Sequence, residues 1–366
     1  MHDEFGPEKI VEVYDAKANM HGFVVIDNTA LGPGKGGIRM TPGVTKEEVF
    51  RLARAMTWKN ALAGLPFGGA KSGIIANPRQ FSIEKKEEIV KSFAKALKEV
   101  SPSKYIAAPD ISMGEKEVKW FVEANGDMKS ATGKPSALGG LPHELGSTGF
   151  GVYHATVVGA KYANLDLKNS TFAVEGFGNV GWFAAKYLTD HGAKLIAVSD
   201  SKGVVHKNNG IDFETISKIK KEKGTVTEFK EGICEECESI LDVKADILIT
   251  AAIPDLIKAG DVDRLNFKLV VEGSNIPMTY AVEELLHTKG ILVIPDFVAN
   301  AGGVISSYVE YKGGDKNEMF KTVEEKIVAN TDLVLKKATE NKVPPRIVGM
   351  KIAQKRVRKK CKVCSV

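Results

Sequence analysis

Apolar positions repeat with two different periods along this 366-residue chain. Over 45–62, Phe50, Leu52, Ala53, Ala55 and Met56 return at helical spacing, and Thr45 with Glu48 three residues on reads as a capping box. A second helical run covers 83–100. Short apolar stretches at 11–14, 22–28 and 105–108 read as strands, which makes the first third of the chain α/β. Beyond residue 145 the alternation is more regular. An apolar strand over 171–175 runs into a glycine-rich turn, and a helix through Phe183, Ala184, Ala185, Tyr187 and Leu188 follows, stopping near His191-Gly192. Further strands are expected at 194–198, 246–250, 269–272 and 291–295, and a helix at 300–311. Strands alternating with helices predict a mostly parallel sheet covered on both faces, the doubly wound α/β arrangement.

The length supports two domains. We place the first at 1–144 and a Rossmann-like dinucleotide-binding domain at 145–324, with the C-terminal helices over 325–366 returning to the first. There are no internal repeats and no low-complexity segment.

A net charge of +5 is too mild to call for nucleic acid. The basic run at 355–360 continues the helical pattern of Ile347, Met350, Ile352 and Val357, so it reads as a solvated last turn. No stretch is apolar enough to span a membrane, and Met1-His2-Asp3-Glu4 is no signal peptide, so a cytoplasmic location is expected. The four cysteines fall in two Cys-x-x-Cys pairs, Cys234/Cys237 and Cys361/Cys364. Together they offer a four-thiolate zinc site, but the pairs lie too far apart for a familiar zinc module, and no metal is expected.

Two motifs carry chemistry. In Glu175-Gly176-Phe177-Gly178-Asn179-Val180-Gly181 the three glycines sit between strand and helix, and Asp200 closes the next strand. That is the context a dinucleotide site requires: close backbone approach for the pyrophosphate, then a helix N-terminus to receive it. The second is Lys71, in Leu65-Pro66-Phe67-Gly68-Gly69-Ala70-Lys71-Ser72-Gly73. An ammonium among glycines and apolar side chains loses hydration, which disfavours its charge and suits it to act as a base. The plain alternative is a surface lysine on a glycine turn. Its company argues otherwise: Lys35 lies in Gly32-Pro33-Gly34-Lys35-Gly36-Gly37-Ile38-Arg39, Lys59 follows Trp58, and Asp110 follows a short strand and Pro109. Three lysines and an aspartate among glycines suggest a pocket for a small anionic substrate.

On these motifs the chain resembles the glutamate/leucine/phenylalanine/valine dehydrogenase family over nearly its whole length, through Asn300-Ala301-Gly302-Gly303-Val304. The resemblance implies a nicotinamide-dependent amino-acid dehydrogenase, oligomeric through its first domain, with the site in a cleft between domains. Lys71 would be the catalytic lysine, Asp110 its acid/base partner, and Lys59 the holder of the substrate α-carboxylate. Thr148 would approach the nicotinamide carboxamide, and Asn300 the nicotinamide ribose and substrate. Gly176, Gly178, Asn179, Val180 and Gly181 would cradle the pyrophosphate.

Glutamate enzymes of the family place a lysine in the first glycine motif and a serine after the Asn-Ala-Gly-Gly motif, here Lys35 and Ser307. This pair suits a γ-carboxylate, so L-glutamate, 2-oxoglutarate and ammonia are the expected reactants. Branched-chain amino acids remain an alternative substrate class, and a catalytically silent cofactor-binding protein an alternative role. Asp200 favours NAD through the adenosine ribose, while Lys202 two residues on could meet the 2′-phosphate of NADP. The expectation is NAD or NADP, leaning to NAD, in a homo-oligomer without nucleic-acid or membrane partners.

Overall fold

The computed structural model describes the chain apart from Met1, Glu236, Lys362, Val363, Ser365 and Val366, and apart from the side chains of Glu235, Cys237 and Glu238. It divides into two compact units. One holds Met1–Leu145, Val304–Met319 and Met350–Val366; the other holds Gly146–Gly303 and Phe320–Gly349.

The first unit is built from β1 (Lys9–Asp15), β2 (Met20–Asn28), β3 (Gly34–Lys35), β4 (Ile38–Thr41), α1 (Lys46–Leu62), β5 (Gly68–Ile75), α2 (Ile83–Ala96), β6 (Tyr105–Ile106) and α3 (Glu115–Asn125). The sheet order is β1-β2-β5-β3-β6, with β4 also on β5. β1 and β2 run antiparallel to their neighbours, whereas β3, β4 and β6 add in parallel, so this sheet is mixed. Val24, Ile26, Ile38, Ala70, Ile74, Phe93 and Phe121 close a core between the sheet and α2 and α3. α1 starts where the sequence places it, and the Thr45 side chain accepts the Glu48 amide. Glu48 does not complete the capping box with a carboxylate-to-amide bond of its own; that carboxylate pairs with Arg39. Most important for function, Lys71 lies inside β5, paired with Val25 of β2, and not on a turn. Both flanks of β5 carry strands, so burial of Lys71 follows from its place in the sheet.

The second unit contains α4 (Ser147–Tyr162), β7 (Thr171–Glu175), α5 (Asn179–Asp190), β8 (Lys194–Asp200), β9 (Gly203–His206), α6 (Phe213–Lys223), β10 (Ile233–Glu235), β11 (Ile247–Thr250), β12 (Leu269–Glu272), α7 (Tyr280–Thr288), β13 (Leu292–Ile294) and α8 (Asp296–Ala299). Its sheet order is β10-β9-β8-β7-β11-β12-β13. The five strands from β8 to β13 are parallel, while β9 and β10 turn back antiparallel at one edge. Strand order reverses between β7 and β11, and that switch point is where open α/β sheets bind ligands.

Three last helices, α9 (Gly302–Tyr311), α10 (Lys316–Asn341) and α11 (Pro345–Arg358), complete the chain. They differ from the expected return at 325. The chain enters the first unit earlier, at Val304, and residues 320–349 belong to the nucleotide-binding unit. The physical reason is packing: Phe320 meets Phe150 edge to face at 5.0 Å, and the Tyr162 hydroxyl donates to Asp332 at 2.9 Å.

Cys361 and Cys364 form a disulfide, so neither offers a thiolate to the four-cysteine arrangement. Cys234 is a free, exposed thiol, and the Cys237 side chain lies outside the described residues. Among the described residues, no helix is long and apolar enough to cross a membrane.

Candidate active site

In the first unit, the parallel pairing of β3 and β4 on β5 brings the Gly32–Arg39 motif alongside Lys71. Lys71 is 8 % exposed, and its Nζ pairs with Asp110 Oδ2 at 2.9 Å. The same oxygen accepts from Arg39 Nε at 3.0 Å. Burial works against the Arg39 charge, but Asp110 and Glu48 outweigh it and hold the guanidinium protonated. Asp110 itself is fixed by a tight turn in which its amide and carbonyl exchange bonds with Met113, at 3.2 and 2.9 Å. Behind β5, the buried Tyr105 hydroxyl lies 2.8 Å from the Ser72 hydroxyl and donates to Gly36 O at 3.1 Å. That bond ties the glycine motif to the strand carrying the lysine.

Gly37 shows how closely these groups approach. A Cβ there would lie 2.7 Å from Pro109 O, 2.8 Å from Asp110 Cβ and 3.3 Å from Lys71 Nζ. Backbone would have to give way, and reacting groups displaced by an ångström cost on the order of 100-fold in rate. Gly37→Ala is therefore expected to cut kcat by roughly 100-fold and to lower the melting temperature as well. A kcat within threefold of the parent would refute this geometry.

Lys35 is 2 % exposed, and its Nζ donates to Ala107 O at 2.9 Å. Burial disfavours its charge and brings its pKa down to about 7; Glu310 favours the charged form, while Lys71 and Lys134 oppose it. Lys59 is half-buried in the last turn of α1, and Ser307 is half-buried on α9. Lys35, Lys71 and Asp110 thus stand in one charged cluster.

The second unit carries the nucleotide residues. Gly176 has φ +89°, and a Cβ there would meet Ala252 Cβ at 2.5 Å. A Cβ on Gly181 would strike Gly176 O at 2.0 Å, so this glycine lets α5 seat on the turn. Gly178, the residue before α5, has open space around it, and Asn179 and Val180 begin the helix. The arrangement leaves first-turn amides facing the approach a pyrophosphate needs. Thr148 is the second residue of α4, and its hydroxyl approaches Gly303 closely. Asn300 is 4 % exposed; its amide donates to Gly273 O and Ser274 O at 3.2 Å and to Asn275 Oδ1 at 3.0 Å. Among the described residues its buried Oδ1 accepts no bond, a vacancy that suits a ligand donor. An open glycine, a helix N-terminus and an orphaned buried acceptor fit a nicotinamide dinucleotide.

Asp200 stands at the end of β8 as expected, but its oxygens are engaged within the chain. Oδ1 accepts from the Lys202 amide at 2.9 Å and the Thr225 hydroxyl at 3.2 Å; Oδ2 accepts from Lys220 Nζ at 2.7 Å and the Val226 amide at 2.8 Å. Burial raises its carboxyl, but the Lys220 ammonium and these amides outweigh burial and hold it below the usual range.

The model of the family described as Glutamate/Leucine/Phenylalanine/Valine dehydrogenase matches residues 139–363, and that of its dimerisation domain matches residues 7–126. Glutamate dehydrogenase of Aeropyrum pernix is 42 % identical over 321 residues, 84 % of this chain and 77 % of that protein. The chain belongs to the Glu/Leu/Phe/Val dehydrogenase family. Among other members, an NADP-specific glutamate dehydrogenase of Saccharolobus shibatae is 38 % identical, covering 83 % of this chain and 75 % of its own length. An NAD-specific one of Staphylococcus aureus is 34 % identical, covering 92 % and 84 %. The hetero-hexameric glutamate dehydrogenase of Thermus thermophilus, in its Leu-bound form, superposes with a TM-score of 0.86 at 26 % identity, over 98 % of this chain and 90 % of that one.

Four residues of this family member that no motif singles out stand beside these groups. Arg39 closes the Gly32–Arg39 motif, and a charge directly after Gly-Gly-Ile is a usable signal. Glu175 precedes the first glycine; its carboxylate accepts the amides of Ala251, Ala252 and Ile253 at 3.0, 3.1 and 3.3 Å, pinning β7 to β11 at the switch point. Burial pushes that carboxyl above the usual range, while the three amides pull it down. Lys134 and Glu310 form a buried ion pair at 2.6 Å across 176 residues, which no local pattern announces.

Proposed function

We propose that this chain catalyses the reversible oxidative deamination of L-glutamate to 2-oxoglutarate and ammonia, with NAD or NADP as hydride acceptor. The observation that carries the reading is the pairing of buried Lys71 with half-buried Asp110 beside a buried Lys35. Names of relatives support it, since three that are 34–42 % identical are called glutamate dehydrogenases, NAD-specific in one case and NADP-specific in another.

The bound dinucleotide supplies the hydride acceptor for the substrate Cα. The chain's own residues handle charge and protons. Lys59 holds the α-carboxylate, and Lys35 with Ser307 holds the γ-carboxylate. Once hydride has left, Lys71, its proton handed to Asp110, takes at Nζ the proton of the water that adds to the iminium carbon. Asp110, poised by Arg39, relays a proton to the departing nitrogen, and ammonia leaves. Running backwards, the same groups aminate 2-oxoglutarate. A dimerisation-type first domain supports an oligomeric enzyme, and we assign it to the cytoplasm, where these reactants are met.

Reduced cofactor and ammonia are supplied with either 2-oxoglutarate or 4-methyl-2-oxopentanoate, and cofactor oxidation is followed. One charged hydrogen bond at 1.5–3 kcal/mol predicts a preference for 2-oxoglutarate of roughly 10- to 150-fold. Leaving the Lys35 ammonium without an anion enlarges it. Equal kcat/KM for both would remove the glutamate assignment, and no turnover with either would remove the enzyme. Running each assay with NADH and NADPH settles cofactor choice.

A further inference from the structure

Glu310 stands three residues past Ser307 on α9, so the two share a face of that helix. Its carboxylate is buried and fully engaged. Oε1 accepts from the Gly133 amide at 3.0 Å, the Lys134 amide at 3.3 Å and Lys134 Nζ at 2.6 Å. Oε2 accepts from the Gly133 and Leu141 amides, both at 3.0 Å. Lys134 Nζ in turn donates to Ala131 O at 3.0 Å.

The segment fastened in this way is the wall behind Lys35. Ala107 O accepts both Lys35 Nζ at 2.9 Å and the Thr132 amide at 3.0 Å, immediately before Gly133. One carboxylate therefore joins the helix bearing Ser307 to the backbone that holds the Lys35 ammonium. The charges bearing on Lys35 are Glu310 from α9, Lys71 from β5 and Lys134 from the fastened segment; only the first is negative. Glu115 of α3 also feels Glu310, whose charge adds to burial in raising the Glu115 carboxyl. A buried ammonium beside two like charges sheds its proton unless an anion stands nearby, and a neutral amine attracts a carboxylate weakly.

We propose that Glu310 is a positioning residue for selection of a second, distal carboxylate on the substrate: it locks the 131–141 segment and α9 around Lys35 and supplies the negative charge that keeps Lys35 an ammonium. The inference rests on the role given to Lys35 above.

The test is the pH profile of KM for 2-oxoglutarate, measured on the full chain for the parent, Glu310→Gln, Lys134→Gln and Lys35→Met, with 2-oxobutyrate as the one-carboxylate comparison. In the parent, affinity for 2-oxoglutarate falls as pH rises through the Lys35 ionisation. Glu310→Gln keeps the side-chain shape and loses the charge. Its limb should move to lower pH, and a shift of one unit raises KM above the limb about 10-fold. Turnover of 2-oxobutyrate should change far less. Lys134→Gln should move the limb the opposite way, to higher pH. A residue that only supports the fold would weaken both substrates together and leave the limb in place, and that result overturns the proposal. Should Glu310→Gln fail to fold, Lys134→Gln decides alone: an alkaline shift supports the proposal and an unmoved limb refutes it. Lys35→Met separates the two layers. If it keeps the preference for 2-oxoglutarate, the substrate reading fails; if it loses the preference while Glu310→Gln leaves the limb unmoved, only the role of Glu310 falls.

Discussion

Replacing Lys71 by methionine is expected to lower kcat by about 1,000-fold, within the range a positioned acid or base supplies. Its amine sits in the central strand and pairs directly with Asp110. Asp110→Asn should cost a similar factor. The asparagine keeps the shape but takes the shared anion from between Lys71 and Arg39, both 3.0 Å or less from it, and leaves Glu48 to hold Arg39 alone. On the proposed proton-handling pair, the double variant should be little slower than either single one. Binding of reduced dinucleotide, followed by its fluorescence, should survive in all three, since Gly176, Gly178 and Gly181 belong to the other unit. Additive losses would show that the two residues act separately, and a single variant with near-parental kcat would remove the proton-transfer role.

The sequence reveals those groups whose signal is local. The strand, three glycines, helix and terminal aspartate of the nucleotide turn are consecutive, and each has a backbone reason to be there. Thr45 as a helix cap and the strands β1 and β2 are legible on the same ground. Lys71 was legible as a residue in an unusual setting, yet glycine-rich sequence reads as a turn, and only strand pairing with Val25 shows it to be interior. The two-residue strand β3 is too short to have a period, and its pairing with β6, which the apolar stretch at 105–108 does announce, is what brings Lys35 to Ala107. The antiparallel edge formed by β9 and β10 likewise follows a pattern that reads as more βα units.

Partners distant in sequence were the least visible. Asp200 looked available to a ribose because its ligands Lys220, Thr225 and Val226 come 20 to 26 residues later. Glu310 gave no sign of itself, as a glutamate on an amphipathic helix normally faces water. It is buried here because four backbone and side-chain donors, three of them main-chain amides, converge on it from another segment. Charge in such places is set by tertiary arrangement, and a one-dimensional reading has no access to that.

The largest stability effect is expected at Arg346, in the first turn of α11. Its guanidinium meets three carboxylates: Glu283 Oε1 at 2.5 Å, Glu272 Oε2 at 2.9 Å and Asp296 Oδ1 at 3.0 Å. Glu272 also accepts the Asp296 amide at 2.8 Å, and Asp296 accepts the Ile276 amide at 3.0 Å. The cluster thereby fixes the two turns that flank Asn300. One cation cannot balance three buried anions. Burial, reinforced by the Glu283 and Asp296 charges, holds the Glu272 carboxyl well above the usual range, and burial raises Glu283 as well. The folded cluster retains a proton that the unfolded chain releases above about pH 4.3. Its contribution is therefore full below that value and declines as pH rises through the folded ionisation. Arg346→Met removes the cation that meets all three carboxylates and should cost about 3–5 kcal/mol. At about 2–4 °C per kcal/mol, calorimetry should show a fall of roughly 6–20 °C. The fall should be larger at pH 8 than at pH 5.5, because protonation relieves the stranded carboxylates at the lower pH. Glu272→Gln reverses the logic. Its amide can donate to Glu283 Oε2 without any bound proton, so it should be more stable than the parent at pH 8 and lose that advantage at pH 5.5. Equal losses at both pH values for Arg346→Met, together with a pH-independent cost for Glu272→Gln, would show that no proton is held there.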